Sequence, residues 1–144
     1  MKQEEKELLL KDLCARLPYG LKVKSEKYPF PVTILYSGNI DEVKFKENGG
    51  IENLCTIKPY LFPLSSMTEE QLYELKEITD FKYNHNTLEL LEWSETHTTL
   101  EFWLEEVPQY KVIEVFDWLD KNHFDYRCLI EKGLAIDATG LNIY

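Results

Sequence analysis

The chain has few of the residues from which active sites are usually assembled. There is no Walker A loop, no G-x-G-x-x-G, no H-E-x-x-H, no C-x-x-C and no G-x-S-x-G. Only three His are present, His85, His97 and His123, too far apart for ligand spacing on one helix. Cys14, Cys55 and Cys128 form an odd, widely spaced set. That set suits reduced thiols in a cytoplasm better than a disulfide framework. No apolar run approaches the roughly 20 residues a membrane span needs. The opening MKQEEKE has neither the basic nor the apolar region of a secretory signal. These absences leave no catalytic residue, no metal and no cofactor to assign.

Basic residues are missing from one long stretch: no Lys or Arg occurs between Lys82 and Lys111. Residues 1–66 hold ten Lys/Arg and nine Asp/Glu; residues 67–144 hold six and seventeen. The halves therefore carry +1 and −11, which sum to the net −10 of the chain. Broad binding of a phosphate backbone by the second half is disfavoured, since each contact needs a cation. Glu89, Glu92, Glu95, Glu101, Glu105 and Glu106 are the candidate protein-binding residues. A basic partner would relieve their mutual repulsion; alternatively, they only solvate an exposed surface.

At 144 residues with 44% apolar content the chain can build one domain or two closely packed parts. The division expected is 1–66, helix plus small β-structure, and 67–144, an acidic α+β half. Leu9, Leu10, Leu13, Cys14 and Leu17 follow the helical period, predicting a helix over 3–17 that ends at Pro18-Tyr19-Gly20. Alternation then predicts strands at 21–25, 32–36, 40–46 and 51–57. Turns are expected at 37–39 and 47–50, and 58–60 should begin the exit. This pattern suggests a small SH3-like antiparallel barrel or sheet. Tyr28, Phe30 and Tyr36, with Pro29 and Pro31, either line a peptide groove or close that barrel. A capping box of Thr68 with Gln71, or Ser66 with Glu69, and a Met67–Leu72 staple start a helix running to about 79. Leu72, Leu75 and Ile78 should face inward. Residues 88–104 read as a hairpin, with Trp93 and Trp103 toward the core. The fold class expected is α+β.

Residues 108–137 form the densest stretch. Val112, Val115, Phe116 and Leu119 lie on one helical face, which Ile113 and Trp118 widen. Glu114, Asp117, Asp120 and Lys121 occupy the remainder. Asn122 is expected to end the helix in the left-handed conformation. Asp125 would then cap a short helix over 126–132 that Gly133 terminates. The corner between these helices gathers His123, Asp125, Tyr126 and Arg127. It is either a small-anion or nucleotide pocket built on the Arg127 fork, or a helix cap with packed aromatics. Cys128 beside His123 suggests a nucleophile–base pair. A buried Cys on a short helix is the more common arrangement, and no third orienting group is identifiable.

Three segments, KDLCARLPYG (11–20), KPYLFPLSSMTEE (58–70) and DWLDKNHFDYRCLIEKGLAID (117–137), carry a resemblance. The chain resembles a family of small uncharacterised proteins carried by bacteriophages and prophages of gut anaerobic bacteria. Members usually have Gly where this chain has Cys128. The resemblance implies a mobile-element origin and a cytoplasmic location in a bacterial host; it implies no reaction and no catalytic residues. The function expected is a non-enzymatic protein-interaction module, acting on a host or phage protein that is basic, without membrane or direct nucleic-acid binding.

Overall fold

A computed structural model describes residues 1–39, 42–47, 49–79 and 111–144, with residues 36–39, 76 and 79 described as backbone. The chain divides into two compact units. The first is Met1–Leu61 with Leu129–Tyr144, and the second is Phe62–Cys128. The fold is α+β.

The first unit opens with helix α1, Gln3–Arg16. Glu4 and Glu5 sit in its first turn, where the helix dipole favours anions, and the Glu5 carboxylate accepts the Lys2 N–H at 2.7 Å. A 3-10 turn, Leu17–Tyr19, follows, and Gly20 at φ 69° reverses the chain. Strands β1 (Lys22–Lys24), β2 (Val32–Asn39), β3 (Glu42–Phe45) and β4 (Ile51–Asn53) form an antiparallel meander. β2 runs through residues 37–39, where the sequence suggests a turn. Two irregularities, between Ile34 and Tyr36 and between Ser37 and Asn39, bend it without ending it. A 3-10 turn, Leu54–Thr56, replaces the second part of the expected fourth strand, with Asn53 Oδ1 accepting the Cys55 N–H.

Residues 58–60 do not leave the sheet. They start β5, Lys58–Pro63, which pairs antiparallel with β1 through Val23↔Pro59. A short strand β6 (Phe124–Asp125) adds parallel at Phe62–Pro63, and β7 (Ile136–Asp137) adds parallel at Tyr60–Leu61. The sheet is thus mixed, and among the described residues β4 pairs only with β3, leaving it open.

Alternation sets the core of the first unit. Val23, Val32, Ile34, Val43 and Phe45 point inward from the strands and meet Leu9 and Leu13 of α1. Leu129, Leu134 and Ala135 return to the same cluster. Full burial of each such Leu contributes about 1.5–3 kcal/mol.

In the second unit, helix α2, Glu69–Thr79, begins with the expected capping box. Gln71 Oε1 accepts the Thr68 N–H at 2.9 Å, and Thr68 Oγ1 accepts the Gln71 N–H at 3.3 Å. Met67, Leu72 and Leu75 are buried and Ile78 half-buried, as the period requires. Helix α3, Val112–Lys121, packs Val115, Trp118 and Leu119 against them. Ile113 does not widen that face: it is 71% exposed. Phe124 completes the cluster by stacking on Trp118 at 5.6 Å. Among the described residues no helix is long and apolar enough to cross a membrane. The hairpin expected at 88–104, with Trp93 and Trp103, lies outside the described residues.

Candidate functional site

The corner after α3 differs from its sequence reading in a specific way. Asn122 stays at φ −92°, its Nδ2 donating to the Trp118 carbonyl at 2.9 Å. The left-handed residue is His123, at φ 59°. That one residue turns the chain so that the His123 carbonyl accepts the Phe62 N–H at 2.9 Å and β6 pairs beside β5. Asp125 is therefore a buried strand residue, 6% exposed, and caps no helix. Residues 126–132 form successive turns and not the expected short helix. Cys128 takes φ 56°, a conformation that interrupts a helical run. Gly133, at φ 69°, closes a turn and ends no helix.

The four corner residues stand together, but packing and hydrogen bonding engage them. His123 and Asp125 are each 6% exposed. The Tyr126 hydroxyl donates to Asp120 Oδ1 at 2.9 Å, and its ring meets Phe116 at 5.1 Å. Arg127 lies over the Tyr126 ring, its Cζ 4.5 Å from the centroid. Asp120, which helical spacing places outside, is only 6% exposed. An anion entering here would meet Arg127 in the company of two buried carboxylates, Asp120 and Asp125. That field opposes it. Chemically the arrangement works as a joint that fixes the exit of α3.

The acidic candidates Glu89, Glu92, Glu95, Glu101, Glu105 and Glu106 lie outside the described residues. Within the described part of the second unit, acids nevertheless dominate the outer helix faces. Glu69, Glu70, Glu74 and Glu77 of α2 and Glu114 and Asp117 of α3 are all exposed. Glu70, Glu74 and Glu77 follow one another at helical spacing along one side. Glu74 accepts the Trp118 indole N–H at 3.1 Å, joining the two helices. Lys111 meets Glu114 at 3.2 Å, an exposed pair of little energetic weight.

Two buried polar arrangements escaped the sequence reading, and both lie in the first unit. Arg16 and Asp12 are fully buried, and the guanidinium grips the carboxylate in two places, Nε to Oδ2 at 2.9 Å and Nη2 to Oδ1 at 3.0 Å. Their signal was present: positions 12 and 16 fall on the face of α1 that Leu9 and Leu13 define. Glu52 of β4 is 4% exposed and accepts from the Ser25 hydroxyl, the Glu26 N–H at 3.0 Å and the Thr56 hydroxyl at 2.8 Å. Burial pushes its carboxyl up, but these hydrogen bonds and the Lys27 charge outweigh burial and hold it below the ordinary Glu value. Lys27 Nζ also donates to the Ile51 carbonyl at 2.7 Å, so the loop after β1 is fastened along β4.

Among the aromatic candidates, Tyr28 is half-buried, edge-on to Phe45 at 5.8 Å, and so belongs to the core margin. Phe30 is 52% exposed. Cys14 and Cys55 are exposed, not packed in a stripe or a strand, and Cys128 is half-buried; none of the three is in a disulfide among the described residues. No cluster of three metal-ligating side chains occurs among the described residues. In comparisons with known proteins, no family model, no curated protein and no solved structure matches the chain.

Proposed function

We propose that the chain is a non-enzymatic protein-interaction module of phage or mobile-element origin, acting in the cytoplasm of a bacterial host on a basic host or phage protein. The observation that carries this is the run of exposed carboxylates on the outer faces of α2 and α3. They flank, in sequence, the segment between Lys82 and Lys111 that has six Glu and no cation. Like charges held together repel, and a basic partner converts that repulsion into attraction and faster association. A nucleic-acid-binding protein, whose groove is already cationic, has the required chemistry.

The small-anion alternative at His123, Asp125, Tyr126 and Arg127 has less support, because burial and internal contacts occupy that corner. For the first unit we favour an SH3-like course of the small open sheet. The order β4-β3-β2-β1-β5 supports this, as does the fastening of the loop after β1 to β4 through Glu52.

The test is capture of the partner from host extract by the tagged full chain, followed by association kinetics at low and high salt. One variant changes Glu70, Glu77 and Glu114 to Gln and Asp117 to Asn; a second changes Glu89, Glu92, Glu95, Glu101, Glu105 and Glu106 to Gln. Slower association with a flatter salt dependence and an intact fold is the expected result. Association rates that ignore both salt and substitution would refute the acidic surface.

A further inference from the structure

β1 and β5 run antiparallel with Lys24 directly opposite Lys58. The next pair along that face sets Lys22 beside Tyr60. The Tyr144 hydroxyl spans this pair, accepting the Lys22 N–H at 3.2 Å and donating to the Tyr60 carbonyl at 2.8 Å. Val23 and Pro59, between the two pairs, are buried. Lys22, Lys24, Lys58 and Tyr60 therefore share the outer face of the sheet.

Like charges directly opposite on adjacent strands destabilise a sheet. Lys24 and Lys58 are both exposed, and among the described residues neither forms an ion pair. Glu52, the carboxylate that anchors the neighbouring loop, is turned inward to Ser25, Glu26 and Thr56. Lys22 donates to the Ile143 carbonyl at 2.8 Å, a neutral acceptor that leaves its charge uncompensated.

We infer that this outer face of β1 and β5 binds a phosphate-type oxyanion held between Lys24 and Lys58, with Lys22 alongside. Side chains opposite one another on a sheet start about 4.5–5.5 Å apart, so two flexible ammonium groups reach one oxyanion with charge-assisted hydrogen bonds. The bound anion turns the repulsive pair into an attractive triad. The net charge of −10 disfavours long polyanions and favours a small ligand. Tyr60 is half-buried and the Tyr144 ring is 43% exposed, so an aromatic margin borders the lysines. That margin suits a phosphate carried on a nucleoside, whose base stacks on tyrosine. The site draws on the first unit alone and does not depend on the role of the acidic helices.

The test is an amide chemical-shift titration of the full chain with sodium phosphate, then with AMP, each against sodium chloride at matched ionic strength. Saturable shifts at Lys22, Val23, Lys24, Lys58 and Tyr60 are expected. Lys24→Gln and Lys58→Gln should each weaken phosphate binding by about tenfold or more, the loss of one charge-assisted hydrogen bond. Lys24→Glu should abolish saturation and raise the melting temperature in phosphate-free buffer, because it replaces a like pair with an opposite one. Tighter binding of AMP supports the nucleoside form, and equal binding supports free phosphate. Shifts that chloride reproduces, or that persist in folded Lys24→Gln, would overturn the assignment. So would binding of dT oligonucleotides or anionic vesicles with no response to phosphate.

Discussion

Asp12→Ala tests most severely what holds the first unit together. In the native chain the Arg16 guanidinium and the Asp12 carboxylate are both 0% exposed and doubly hydrogen-bonded. Removing the carboxylate strips two charge-assisted hydrogen bonds from a guanidinium buried on the face of α1 that carries Leu9 and Leu13. Breaking a buried pair in this way costs about 3–5 kcal/mol. Against a total stability of about 5–15 kcal/mol, that is a large fraction. With a urea slope of about 2 kcal/mol per M, the midpoint should fall by about 1.5–2.5 M. Far-UV circular dichroism in a urea titration reads this directly. Asp12→Asn keeps one acceptor and should fall between Ala and the native chain. Replacing both partners by apolar side chains, Asp12→Leu with Arg16→Met, should recover most of the loss, because both buried charges leave together. If Asp12→Ala cost less than about 1 kcal/mol, the pair would be behaving as an exposed i,i+4 contact. The burial argument would then be wrong.

Other perturbations follow from single residues. Cys128→Gly should stabilise by about 0.5–1 kcal/mol, since the left-handed conformation costs a non-glycine residue about 1–2 kcal/mol and glycine returns part of that as unfolded-state entropy; Cys128→Ala should show no gain, and equal thermal shifts for the two would refute the strain. Glu52 has a folded pKa below the ordinary 4.5, so its contribution is complete above that value and lost as pH falls through the lower folded value. Glu52→Gln should cost about 1–3 kcal/mol at neutral pH and flatten the acid limb of the stability profile; an unchanged limb counts against the network. Reductant should leave the melting temperature where it is, because none of the three cysteines is in a disulfide among the described residues; a drop of several degrees would contradict this.

How far the fold was legible depended on whether local chemistry or distant contact decided each element. The start of α2 was plain, because Thr68 and Gln71 satisfy each other's backbone within one turn. The extents of α1 and α3 were equally plain, but Cys14 and Ile113 turn outward where the period set them inward, and Asp120 turns inward where it was set outside. β5 was obscured by Pro59 and Pro63, which resemble the punctuation of a loop. The corner failed for a different reason. Asp125 followed by Tyr126 resembles a helix start, but His123 in the left-handed region sends the chain alongside β5 instead. The pairing partner lies some sixty residues away and leaves no mark on the local pattern. Asp12 and Arg16 look like surface charge until their shared face with Leu9 and Leu13 is counted. Of the candidate site residues, the corner could be named but its burial could not. The Lys24–Lys58 opposition depends on register, which a one-residue slip would erase.

The first unit is interrupted: it opens with residues 1–61 and resumes only at residue 129. On a translating ribosome this reverses the usual order of events, in which N-terminal domains finish first. The nested stretch 62–128 is complete while the opening residues still await Leu129, Leu134 and Ala135 for their core. Lys22 cannot make its hydrogen bonds to Ile143 and Tyr144 until more than a hundred further residues have been added. Through that interval the side of β5 that β7 later covers stands open to solvent and to other nascent chains. The sheet is therefore most exposed to mispairing during synthesis, and slowing elongation beyond residue 61 should lower the yield of folded protein.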